Sequence, residues 1–78
     1  MKRGDKVLIT FYGQVKQGRI LLASENQRSL ALAFDGAFRD GEGGMYVAMM
    51  GVLKDDDGTY RDLIGGQPVE VELARSDA

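Results

Sequence analysis

The sequence predicts an all-β fold, a small single-domain antiparallel barrel of five to six short strands. Three observations predict it. Short runs rich in β-branched, aromatic and aliphatic residues recur at close spacing, over 6–12, 19–24, 28–34, 45–53, 59–64 and 69–73. Turn chemistry separates them, supplied by most of the 11 glycines and the one proline. No long block of helix formers interrupts the pattern, and 78 residues suffice for one domain. Several short strands with tight connections indicate an antiparallel barrel or sandwich. The domain spans 3–74, and 75–78 read as a frayed C-terminal tail.

Gly4-Asp5 opens the chain as a turn. The first strand follows, with Val7, Ile9 and Phe11 on one face and Lys6, Leu8, Thr10 and Tyr12 on the other. Gly13 and Gly18 bracket Gln14, Val15, Lys16 and Gln17, which read as a loop or bulged link. In the second strand Ile20 and Leu22 share a face. Glu25-Asn26-Gln27 then makes a turn, since Asn tolerates positive φ. The third strand sets large Leu30, Leu32 and Phe34 against small Ser29, Ala31 and Ala33.

Four glycines between 36 and 44 break regular structure, so 35–44 reads as an irregular loop, with Ala37, Phe38 and Arg39 able to form one helical turn. Phe38 is the residue there with reason to dock on the core. Residues 45–53 carry no charge at all. Strand period places Met45, Val47 and Met49 opposite Tyr46, Ala48 and Met50, while helix period groups Tyr46, Met49, Met50 and Leu53. Length, the bounding glycines and two valines favour a strand, with Gly51 marking a bulge or bend. Asp55-Asp56-Asp57-Gly58 is the strongest turn signal. Gly65-Gly66-Gln67-Pro68 links the fifth strand to the last, whose Val69, Val71 and Leu73 point inward and Glu70 and Glu72 outward.

Gly4-Asp5-Lys6-Val7, followed by Gly13 and Gly18, resembles the opening of KOW-type and other SH3-like barrels. Gly65-Gly66-Gln67-Pro68-Val69 is similar to their short link into the closing strand. The resemblance covers the first strand and the last link and implies an SH3-like barrel. A partly open Greek-key barrel is the second reading. Neither implies a function.

Composition excludes several chemistries. The chain has no cysteine and no histidine. Disulfides, thiolate zinc sites, cysteine nucleophiles and histidine bases are ruled out. The acids Asp55, Asp56, Asp57 and Asp62 lack the alternate spacing of a calcium loop, and the position of its terminal glutamate holds Gly66. Gly41-Glu42-Gly43-Gly44 lacks the Lys-Ser/Thr of a phosphate loop. Every acid is expected in a turn or on an outward face, so no acid–base pair is expected, and no cofactor or metal. The expected protein is not an enzyme. No run approaches the roughly 20 apolar residues of a membrane span, and no signal-peptide core follows the basic start. The expected location is the cytoplasm.

Two binding readings remain. A small core without covalent or metal staples points to a homodimer or higher oligomer, or to another protein as partner. The partner-facing candidates are Tyr46, Met50 and Phe38. The alternative is nucleic acid. Residues 1–39 hold Lys2, Arg3, Lys6, Lys16, Arg19, Arg28 and Arg39 against Asp5, Glu25 and Asp35, and most of the acids fall later. Lys16, Arg19 and Arg28 would meet phosphates while Tyr12 stacks on a base. A pI near 4.9 argues against this.

Overall fold

The computed structural model describes residues 1–74. Six strands, β1 (Lys6–Phe11), β2 (Gln14–Ala23), β3 (Ser29–Arg39), β4 (Met45–Lys54), β5 (Tyr60–Asp62) and β6 (Pro68–Leu73), follow in order. They form a closed barrel in which every sequence neighbour is a barrel neighbour. All pairs are antiparallel, and β1 closes the barrel on β6 through Ile9 opposite Val71 and Phe11 opposite Val69. The all-β barrel is the architecture the sequence predicts. Its six strands assign no narrower family. The tail expected over 75–78 lies outside the described residues.

The first hairpin turns tightly. Phe11 pairs with Gln14, and only Tyr12 (φ 50°) and Gly13 (φ 73°) lie between them. Positive φ at both central residues gives a turn whose twist matches the flanking strands. Residues 14–17 are therefore strand, not the loop expected from the two bracketing glycines. The second glycine has another reason to be there. A Cβ at Gly18 would collide with the Ala33 carbonyl oxygen and lie 2.8 Å from Ile9 Cδ1. Gly18 lets β2 and β3 close up at their first pair, Gly18 opposite Phe34.

Two further expectations are corrected by bulges. Ile20 pairs with Leu32 and Leu22 with Ala31, so β2 carries one extra residue there. That residue reverses the alternation: Ile20 is buried and Leu22 exposed, although a simple strand would put them on one face. In β3 the register runs from Ala33 opposite Met49 to Ala37 opposite Val47, two extra residues on the β3 side. Gly36 (φ 87°) absorbs the irregularity. The strand then continues through Arg39 in place of the expected loop and helical turn.

The core lies inside the barrel. Val7, Ile9, Phe11, Ile20, Leu30, Leu32, Phe34, Phe38, Met50, Val52, Tyr60 and Val69 form it. Burying each large side chain contributes roughly 1.5–3 kcal/mol. Phe38 packs edge-on against Phe11 (centroids 5.7 Å apart) and Phe34 (4.8 Å). The inward pattern of β6 fades along the strand: Val69 is buried, Val71 half-buried and Leu73 exposed.

Candidate functional site

β3 and β4 run on together past the last β2–β3 pair. Residues 35–39 and 45–49 therefore form a two-stranded arm at one end of the barrel. Its inner face is occupied. Phe38 is 0% exposed and Met50 5%, and half-buried Tyr46 stands edge-on to Phe11 at 5.0 Å. The three residues expected to meet a partner thus point inward, and Phe38 and Met50 belong to the core. Strand period separates Tyr46 and Met50 from Met45, Val47 and Met49, but it fails at Ala48, which is exposed at φ 67°, and it does not say which face the barrel covers.

The outer face is the apolar one left uncovered. Met45, Val47 and Met49 are 59%, 61% and 60% exposed, and Leu53 is also exposed. Their β3 partners are Arg39, Ala37, Ala33 and Ser29, mostly too small to cover them. Leu63 extends the patch: a Cβ at Gly51 would lie 2.8 Å from Leu63 Cδ1, so that side chain lies over the glycine. No charged residue occurs between Gly43 and Leu53. A contiguous apolar surface of this kind marks an interaction site more often than isolated exposed residues do.

Beneath the arm sits one buried acid. Asp62 is 3% exposed. One oxygen accepts from the Tyr46 hydroxyl (2.7 Å) and the Gly65 amide (2.7 Å), and the other from the Gln67 amide (2.7 Å). Burial alone would raise its pKa. The Tyr46 hydroxyl and the amides of the β5–β6 link outweigh it and hold the carboxyl below its ordinary value. Tyr46 is pushed up to about 12, first by its bond to Asp62 and then by burial. The expectation that every acid lies in a turn or on an outward face fails here. Asp62 ties the arm to the β5–β6 link. The only sequence trace of this is an Asp three residues before Gly65, the spacing of a side-chain-capped turn.

The candidates for nucleic acid do not gather. Consecutive hairpin turns of an antiparallel meander alternate between the barrel's ends. Tyr12 lies at the arm end, where burial and then Asp40, Asp62 and Glu42 raise its pKa, in acidic surroundings. Arg28 lies at the far end, 3.5 Å from Asp56 and donating to the Lys54 carbonyl at 3.2 Å. Lys16 reaches over Gly36, its Nζ 3.4 Å from where a Cβ would stand. Arg19 faces Lys6 across β1 and Ala33 across β3, and with Gln17 and Asp35 it borders an open cavity of about 520 Å³.

The remaining motifs are structural turns. Asp55 accepts from the amides of Asp57 (3.1 Å) and Thr59 (3.2 Å) and pairs with Arg61 at 2.6 Å. Asp40 accepts from the amides of Glu42 (2.8 Å) and Gly44 (2.9 Å), closing the glycine-rich turn. Among the described residues no three acids converge on a point that could hold a metal ion, and no helix is long and apolar enough to cross a membrane. No family model, curated protein or solved structure matches this chain.

Proposed function

We propose that this barrel is a non-catalytic protein-interaction subunit that works through the outer face of its β3–β4 arm and associates with itself. The supporting observation is the uncharged row of Met45, Val47, Met49 and Leu53, each about half exposed or more, with Val47 and Met49 opposite small alanines. Methionine suits such a surface because its flexible thioether adapts to a partner. The acid one would ask to do chemistry, Asp62, already has both oxygens in hydrogen bonds.

The test is sedimentation of the chain and of Met49→Lys across a dilution series. The parent is expected to show a concentration-dependent mass above its 8.5 kDa. Met49→Lys, with an unchanged circular dichroism spectrum, is expected to stay at the mass of one chain. Equal association of both proteins would remove the arm's outer face from consideration.

A further inference from the structure

The main chain of the arm adds a second property to its apolar face. Along a strand, alternate residues direct their N–H and C=O groups to opposite sides. The Lys54 amide donates to the Arg28 carbonyl (2.6 Å), so Lys54 faces β3. The Gly51 carbonyl accepts from the Leu63 amide (3.1 Å) on the side away from β3. At the other end of the strand the Gly44 carbonyl accepts from the Asp40 amide (3.1 Å), again towards β3. Gly44 fixes the phase of Met45 and Val47, and Gly51 and Lys54 fix that of Met49; Ala48, at φ 67°, interrupts the extended backbone between them. Met45, Val47 and Met49 direct their N–H and C=O groups away from β3. The strand that should receive them is missing there, because β5 pairs with β4 only over Val52, Leu53 and Lys54. Among the described residues this is a bare strand edge in an otherwise closed barrel.

The opposite edge of the arm is treated differently. There the Gln14 side-chain amide donates to the Arg39 carbonyl (2.7 Å) and accepts from the Arg39 amide (3.1 Å). One glutamine stands in for a neighbouring strand. Among the described residues the β4 edge has no such substitute.

We infer that the 45–49 edge of β4 pairs antiparallel with the same edge of a second copy, so that two barrels join through a continuous β4–β4 sheet. This rests on the arm being the interaction surface. The second copy is the occupant for two reasons. Antiparallel pairing about a two-fold axis at Val47 is self-complementary: Val47 meets Val47 and Met45 meets Met49, donors facing acceptors on both strands. A two-fold axis sets each group against its own kind, so a charged edge would repel itself, and residues 43–53 carry no charge.

The absence of cysteine makes the test clean. Facing residues of an antiparallel pair have Cα atoms about 4.5–5.5 Å apart, within the range a disulfide spans. Val47→Cys is expected to give a covalent dimer under mild oxidation. Leu22→Cys, exposed to the same degree on the barrel wall, is expected not to. Val47→Pro removes an outward N–H from each copy while leaving the β3 ladder alone, and should weaken association by roughly ten- to a hundredfold.

If Met49→Lys abolishes association and Val47→Pro does not, the copies meet face to face: the edge pairing is overturned and the interaction surface stands. If neither substitution changes association, both fall. A parent chain that stays monomeric at every concentration, with Val47→Cys no faster to crosslink than Leu22→Cys, overturns the edge pairing. Should Val47→Pro fail to fold, the two cysteine variants decide.

Discussion

The two long edges of the β3–β4 arm pose the same problem and meet it differently. Each leaves main-chain donors and acceptors without a neighbouring strand. On the β3 side Gln14 reaches across and bonds both main-chain groups of Arg39. On the β4 side Met45, Val47 and Met49 offer theirs to whatever arrives. Proteins normally blunt such edges with charge, proline or a covering side chain. Only one edge here is blunted, and the bare one also carries the exposed apolar side chains. The coincidence of the two features on β4 distinguishes it from the rest of the barrel wall.

The comparison requires the arm to be held by its inner face. The sharpest way to break it is therefore Phe38→Ala. Phe38 is wholly buried between Phe11 and Phe34, and the truncation should cost about 3–5 kcal/mol. In a domain this small that is a large share of the total. Urea unfolding should show it plainly. An outward truncation at the same level, Val47→Ala, should change monomer stability by less than about 0.5 kcal/mol. Equal losses at the two positions would mean that the arm is not anchored as described.

Much of the barrel is legible in the sequence, and what is not legible has identifiable causes. The alternation of Val7, Ile9 and Phe11, and of Leu30, Leu32 and Phe34, marks the inner wall because period two survives wherever a strand is regular. The Asp-Gly turn at 57–58 is equally plain. Bulges leave no such signature. Leu22 looks inward by counting, and one extra residue in β2 turns it out. Gly13 and Gly18 look alike on the page, yet one supplies a positive φ and the other a close approach to Ala33. Ala48 takes φ 67° within β4, which no residue-type preference announces. The site suffers most. The bare edge of β4 depends on which strand pairs with it, and so on β5 being three residues long and reaching only Val52, Leu53 and Lys54.

The next effect concerns the latch beneath the arm. Asp62→Ala leaves the Tyr46 hydroxyl and the Gly65 and Gln67 amides without their acceptor, and should cost about 2–3 kcal/mol. The same group makes stability depend on pH. Its folded-state pKa lies below the ordinary carboxylate value. Its contribution is therefore complete above the unfolded pKa, about 3.9. It is lost as pH falls through the lower folded value. Unfolding free energy measured from neutral pH into this acid range should fall less steeply in Asp62→Asn than in the parent. Identical slopes would remove Asp62 as the group that fastens the arm.

The smallest expected effect separates the two edges most directly. Gln14→Ala strips the β3 edge of its stand-in and should cost only about 1 kcal/mol, since the bonds it breaks are exposed and water replaces them. The informative readout is amide hydrogen exchange. In the parent, diluted until single chains dominate, the Arg39 amide should exchange more slowly than the Val47 amide, which faces open solvent. In Gln14→Ala the Arg39 amide should speed up while Val47 stays as it was. Raising the concentration of the parent should then slow Val47 selectively, because the partner that protects it is another copy of the same strand. A Val47 amide already protected in the dilute chain would mean that its edge is satisfied within the barrel, and the difference between the two edges would disappear.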